Sequence, residues 1–472
     1  MTTRTGGLLE LVARGKKDLF FTNNPTVTYY HNVYKTASAT TKELYELMPR
    51  NTPEWGNWVD FDLEHKGDLA AKFYLRVQLP TWLPPAVAAL NPSSLVTYNN
   101  SQVTYGYCQN VGYQLIKKVQ LFNDTMLVEE LYGEYLDWRL RGAYESGTVL
   151  TAAAQIGYHD NSPLALGRAA SPGLLRIPLP LLGWQGLDDP GFPLCVCKKQ
   201  RFRIRVWLRE LEELVVCSDG RLSPKPWGGV PLSVQTTKNG PLDTTQRTLP
   251  YTSLKTVTMS IETEQRYIPL DVRLFLQSRT LRIPFRHIQF QTTAIEHNYV
   301  VATSPPYNSA VTIPIPVEFI GPSDRLLLGF RTNAATAAGQ RTALSPMATS
   351  LRLNIANLDR VKAWDPAIFR EVSAYHKQAR MPLSAYGSTV PGSTDVPLDV
   401  YTISFGGYDY GRPSGTVSFT RAVLPVLYVI VAPAAVDPRL PADRGGFALL
   451  YCESWNVFQF ENGGGRQMFD DV

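Results

Sequence analysis

The sequence predicts an all-β protein made of two sandwiches in tandem, and three observations carry that expectation. Apolar and polar residues alternate with period two in many short runs, as strands with one buried face require. The chain is rich both in residues that fill strands and in residues that end them: aromatics make up 11%, with 24 Tyr, beside 35 Pro and 34 Gly. At 472 residues it exceeds one ordinary core, and it suits two domains of roughly 200 residues each. With 44% hydrophobic and 18% charged residues it can bury both cores.

Taken in order, the chain opens with an arm. Leu8, Leu9, Leu11 and Val12 lie at the spacing of one helix face. Gly15 can end that helix, with Lys16 and Lys17 close to its negative dipole end. Residues 19–22 read as a short aromatic strand, Asn23-Asn24-Pro25 as a turn, and 26–34 as a second strand. Residues 55–62 and 68–79 are the next strands. In the latter Phe73, Leu75, Val77 and Leu79 share one face, while Lys72, Tyr74, Arg76 and Gln78 share the other. Pro80, Pro84 and Pro85 then open a long loop to about residue 104.

Residues 112–122 return as a strand. Leu127, Leu131, Tyr135 and Trp138 fall at helical spacing, which predicts a helix over 127–141. A second long loop covers 142–173, and strands follow at 174–182, 192–197 and 201–208. In the last of these Arg201, Arg203 and Arg205 alternate with Phe202, Ile204 and Val206, so the arginines should line a solvent or interface face. The polar, Pro- and Gly-rich stretch from 218 to about 250 reads as a linker. Strands are expected in the second half at 254–264, 272–277, 287–291, 310–319, 325–330, 401–405, 415–421, 427–431 and 447–460. A loop is expected at 332–347 and a short helix within 363–379. These readings set an arm at 1–18, a first domain at 19–235 with its linker from 218, and a second domain at 236–472. About eight strands per half, in a repeat of pattern only, fit two jelly rolls.

Composition and motifs exclude several function classes. Forty-six basic against 41 acidic residues leave a formal charge of only +5 and no basic run, so no specific nucleic-acid binding is expected. The five cysteines (Cys108, Cys195, Cys197, Cys217 and Cys452) are too few and too widely spaced for a disulfide framework or a zinc site, and are expected as buried free thiols. Glu10, Arg14, Lys16 and Lys17 interrupt any secretion signal. The longest apolar run, 422–436, is broken by Pro425 and Pro433 and falls short of the roughly 20 residues a membrane span needs. A soluble protein of a reducing compartment is expected.

The six histidines form no metal-ligand pattern, and no P-loop or Gly-x-Ser-x-Gly elbow is present. Glu129-Glu130, Asp188-Asp189 and Asp470-Asp471 are adjacent pairs. On a strand, neighbours point to opposite faces, so they do not form the facing carboxylates of glycoside hydrolysis. No catalytic, metal or cofactor residue is assigned, and no enzyme is expected. Asn99 and Asn123 head Asn-x-Ser/Thr sequons and are the candidate glycosylation sites.

Several stretches, in chain order, carry a resemblance. The first is Gly6-Gly7-Leu8 with Leu11-Val12-Ala13, followed by Asp18-Leu19-Phe20-Phe21-Thr22, Asn24-Pro25, Val27-Thr28 and Val33-Tyr34-Lys35. Next come Lys66-Gly67-Asp68-Leu69 with 74–80, and then Glu262-Thr263-Glu264-Gln265-Arg266, where Gln265 departs from the usual acid. Last are Pro413-Ser414-Gly415 leading to Phe419-Thr420-Arg421, with Ser418 in place of Asn, and Trp455-Asn456-Val457 followed by Gly463-Gly464-Gly465. Together they resemble the double jelly-roll major capsid proteins of nucleocytoplasmic large double-stranded DNA viruses. In that pattern the acidic segment at 262–266 opens the second jelly roll.

The resemblance implies two consecutive eight-stranded jelly rolls with long outward loops, and a structural protein of an icosahedral capsid. It further implies self-assembly as a homotrimeric, pseudo-hexagonal capsomer with neighbouring capsomers, and minor capsid or penton proteins as partners. The location would be the virion shell, assembled in the host cytoplasm. The arm (Leu8, Leu9, Leu11, Val12, Arg14, Lys16, Lys17) is expected at the capsomer base, against neighbouring subunits, minor proteins or an internal membrane, the alternative being a helix folded back on its own domain. The alternatives are a two-domain β-sandwich carbohydrate-binding protein or glycosidase, and a paralogous minor capsid protein.

Overall fold

Both halves of the chain are built by one rule. The computed structural model describes residues 39–80, 95–98, 101–143, 155–158, 172–181, 191–217, 232–234, 246–247, 257–295, 311–333, 344, 348–369, 400–406, 415–431, 446–461 and 463–469. In the first half the strands are β1 (Thr41–Leu47), β2 (Trp58–Leu63), β3 (Leu69–Gln78), β4 (Ile116–Asn123), β5 (Met126–Tyr132), β6 (Leu174–Leu179), β7 (Phe202–Leu208) and β8 (Thr258–Tyr267). They form two antiparallel sheets, ordered β1-β8-β3-β6 and β2-β7-β4-β5.

In the second half the strands are β9 (Leu281–Ile295), β10 (Val311–Pro316), β11 (Pro322–Thr332), β12 (Ala348–Ile355), β13 (Leu358–Trp364), β14 (Val400–Ser404), β15 (Val426–Val431) and β16 (Gly446–Glu461). Their sheets run β9-β16-β11-β14 and β10-β15-β12-β13. Adding eight to each strand number of the first half reproduces the second, so the repeated pattern in the sequence is a repeated topology. Two four-stranded sheets in this order make a jelly roll, and the chain is a double jelly roll.

Alternation puts the strands in place. In β3 Phe73, Leu75 and Val77 are buried and Tyr74 and Arg76 face outward. In β7 Phe202, Ile204, Val206 and Leu208 are buried on one face, while Arg203 and Arg205 lie half-buried on the other. There Arg205 pairs with Asp60 at 2.8 Å and stacks over Trp58, and Arg203 stacks over Phe122. The second jelly roll has its own core, in which Leu326, Leu328 and Phe330 of β11 meet Leu351 and Leu353 of β12 and Leu427 and Val429 of β15. Each such side chain contributes roughly 1.5–3 kcal/mol on burial.

Several expectations are corrected. The segment 127–141 is not one helix: β5 ends at Tyr132, and helix α2 (Gly133–Ala143) follows a single helical turn, α1 (Val111–Gln114), placed earlier in the chain. Leu127 and Leu131 are four apart but sit on a strand, and the helical stripe there was a coincidence of spacing. Residues 272–277 form helix α3 (Leu270–Gln277) instead of a strand. Cys195 lies in a 3-10 turn at Leu194–Val196, yet Cys108, Cys195, Cys197 and Cys452 are all buried free thiols.

The boundary near 235 does not match the sheets. Strand β8 inserts between β1 and β3 of the first jelly roll, so residues 262–266 close the first sandwich instead of opening the second. The passage between the two jelly rolls is α3. The loop expected over 80–104 and the linker from 218 also hold strands. Residues from both (Leu95–Tyr98, Ser101–Tyr107, Leu232–Val234 and Gln246–Arg247), with Val215–Cys217 just before the linker, pair into a third, five-stranded sheet. The hairpin β12–β13 was not anticipated. Its turn, Ala356-Asn357, has φ of 54° and 63°, a left-handed pair that an Asn-Gly sequence would have announced but Ala-Asn does not.

Candidate functional site

Among the described residues, the site with the most defined geometry is the one that fixes the two jelly rolls to each other. The outer face of the β9-β16-β11 sheet is covered by the first jelly roll. Tyr132, the last residue of β5, packs 5.1 Å from Phe290 and 5.9 Å from Tyr451. On α2, Trp138 meets Tyr451 edge-on at 5.0 Å. Lower down, Phe192 lies 5.1 Å from Phe460 and 4.9 Å from Phe202. These residues of both halves belong to one continuous core.

Charges are buried inside this seam. Glu453 of β16 accepts bonds from Arg325 (2.7 Å), Arg286 (3.0 Å) and the Tyr135 hydroxyl (2.9 Å). Arg286 also reaches Asp324 at 3.3 Å. Burial pushes the Glu453 carboxyl up, but Arg325, Arg286 and Tyr135 outweigh it and hold its pKa below the ordinary glutamate value. Beside it, Glu134 of α2 is shared between Arg209 of the first jelly roll (2.9 Å) and Arg331 of the second (3.0 Å). A buried acid demands partners in fixed places, so each carboxylate pins the relative position of the two sandwiches. Gly133 lets α2 start there: a Cβ on it would lie 2.1 Å from the carbonyl oxygen of Tyr113. On its open side the seam widens to a cleft of about 590 Å³ whose lining includes Lys117, Trp207, Phe290 and Phe447.

The carboxy-terminal residues add a second tie. Gly464–Gln467 pairs with the end of β16. From there Gly465 accepts the Asn123 amide at 2.6 Å and donates to Gln200 at 2.5 Å, while Gln467 bonds the carbonyl of Val128 at 2.5 Å. Gly465 is required here, since a Cβ would sit 2.4 Å from the Phe458 ring. Asn123 is therefore corrected as a glycosylation candidate. It is 2% exposed, and the nitrogen a glycan would take is hydrogen-bonded to Gly465. Asn99 and the arm residues Leu8, Leu9, Leu11, Val12, Arg14, Lys16 and Lys17 lie outside the described residues.

Two of the recognised motifs meet in space. The Gln265 side chain accepts the amides of Gly67 (2.5 Å) and Lys66 (3.1 Å) and donates to the Glu64 carbonyl (2.8 Å). An acid could accept those two bonds but could not make the third, which accounts for the amide at this position. Asp68 then holds Arg273 of α3 at 2.8 Å and the amide of Ile268 at 3.0 Å, anchoring the passage between the jelly rolls. Reasoning from sequence missed the acid–arginine seam. The available signal was a lone charge inside an apolar strand, as with Arg286 between Phe285 and Ile288 or Glu453 after Leu449-Leu450-Tyr451-Cys452.

No family model matches the chain. Among curated proteins, it is 29% identical over 136 residues to "Probable capsid protein 4" of Acanthamoeba polyphaga mimivirus, covering 28% of this chain and 24% of that protein. It is 29% identical over 168 residues to the "Major capsid protein" of Chrysochromulina ericina virus, covering 33% and 28%. To the "Major capsid protein" of Pyramimonas orientalis virus it is 24% identical over 196 residues, covering 38% and 44%. The chain thus spans less than half the length of these relatives.

Among solved structures, PBCV-1 VP54, fitted into a reconstruction of the virophage Sputnik, superposes with a TM-score of 0.67 at 14% identity, over 94% of this chain and 100% of that one. The Faustovirus major capsid protein gives 0.60 at 12% identity, over 95% and 94%. The likeness to viral capsid proteins that the motifs carry is therefore found again in both comparisons, and the chain has the double jelly-roll fold of those capsid proteins.

Proposed function

We propose that this protein is the subunit of an icosahedral capsid of a large DNA virus, and that its activity is self-assembly as a homotrimer. The observation that carries this reading is the same-order pair of jelly rolls held rigidly together by a buried seam. Two sandwiches locked side by side in one chain supply two of the six corners of a pseudo-hexagonal tile, and three chains complete it. The likeness in fold to solved capsid proteins over nearly the whole chain supports it. Its place is the virion shell, with assembly in the host cytoplasm, and its partners are neighbouring capsomers with minor capsid or penton proteins.

The decisive measurement is native mass by light scattering on the purified chain. A species of about three times 52.7 kDa is expected, and a stable monomer would refute the reading. Copy number in purified particles separates a major from a minor subunit. The arm at 1–18 is assigned to contacts beyond the trimer, with neighbouring subunits, minor proteins or an internal membrane. Deleting residues 1–17 is expected to leave the trimer intact and to impair particle assembly, and loss of the trimer would overturn that assignment.

A further inference from the structure

The first jelly roll grips the second with the hairpin β4–β5, and the second jelly roll carries a matching hairpin whose outer strand is exposed. The two match residue for residue in length. Ile116–Asn123, a two-residue turn and Met126–Tyr132 correspond to Ala348–Ile355, a two-residue turn and Leu358–Trp364. Both hairpins sit at the same edge of their sheets, as β5 and β13 end the orders β2-β7-β4-β5 and β10-β15-β12-β13.

Their surroundings differ. In β5 Val128, Glu129 and Leu131 are buried, and Tyr132 packs in the seam against Phe290. In β13 every residue except Val361 is exposed. Trp364, at the position of Tyr132, is 47% exposed, and Leu358, at the position of Met126, is 75% exposed. An edge strand that presents a tryptophan and a leucine to water is a template for association.

We propose that β12–β13 docks onto the first jelly roll of a second copy of this chain, on the outer face of β1 and β8. That face is the counterpart of the β9-β16 surface that β5 and α2 cover within one chain. Leu44 stands on β1 at 75% exposure and offers an apolar contact for Leu358 or Trp364. The contact is head-to-tail, so it generates a ring in which intrachain seams alternate with interchain ones. The inference rests on the capsid reading in needing the chain to self-associate, and it adds which surfaces do so.

The test uses the full chain, with mass by light scattering and folding by circular dichroism and thermal melting. The double variant Leu358→Glu with Trp364→Ala, and separately Leu44→Glu, are each expected to weaken association at least tenfold and to run as monomers with unchanged dichroism. Leu274→Ser with Phe275→Ser, which alters an exposed apolar patch on α3 instead, is expected to keep the wild-type mass. Hairpin variants that assemble like wild type would overturn the proposal. An unaffected Leu44→Glu would overturn its receiving face, and dissociation by the α3 variant would overturn its specificity. A monomeric wild type would refute the capsid reading itself and is distinguishable from all of these.

Discussion

Replacing Glu453 by Gln is expected to destabilise the fold by about 3–5 kcal/mol, because it strips the charge from a site where two arginines have been desolvated to meet it. Arg325 and Arg286 reach the same carboxylate oxygen at 2.7 and 3.0 Å, and the shape-matched amide removes only the charge. Thermal unfolding near neutral pH should show a clear drop in melting temperature. A variant within 1 °C of wild type would show that the seam does not depend on this ion cluster.

The pH dependence has a definite sign. The carboxyl's pKa in the folded chain lies below its ordinary 4.5, so its stabilisation is fully present above that value and is lost as pH falls through the lowered pKa. The gap between wild type and Glu453→Gln should be constant from pH 8 to 5 and narrow in more acid solution.

The second large effect is expected at Trp138. Truncation to Ala should cost about 3–5 kcal/mol, since the indole fills the space between Tyr451 and the backbone of β11. Gly329 is small for this reason: a Cβ there would lie 2.7 Å from the Trp138 ring. The loss falls on the seam, whereas the interior of the second jelly roll belongs to a separate core. Calorimetry should therefore show the two sandwiches beginning to unfold separately in Trp138→Ala. A single transition shifted by less than about 1 kcal/mol would contradict this role.

How much of this was legible in the sequence depended on the range of the forces involved. Strands such as β3 and β7 were readable because alternation is local and their apolar faces are continuous. The helical stripe of Leu127, Leu131, Tyr135 and Trp138 misled because a strand running straight into a helix keeps a four-residue spacing across the join. The strand expected at 272–277 became α3 because five apolar residues in eight, Leu270, Val272, Leu274, Phe275 and Leu276, suit either period. The boundary near 235 failed for a topological reason. Composition marks where the chain is polar, and strand β8 crosses that polar stretch to complete a sheet begun more than 200 residues earlier. Glu453, Arg286 and Glu134 were invisible as a site because each draws its meaning from partners that only the packed seam supplies.

Strand β8 and the carboxy-terminal hairpin also set a timetable for synthesis. The first sheet lacks its second strand in spatial order until residue 267 has left the ribosome, because β8 must slide between β1 and β3. The tie through Gly465 and Gln467 forms only after residue 467 has left the ribosome. Until β16 is made, Tyr132 and Trp138 of the first jelly roll lack Tyr451, their partner in the seam. The nascent chain therefore carries an uncovered apolar face late into synthesis, so the interval before seam closure is when holding chaperones matter most.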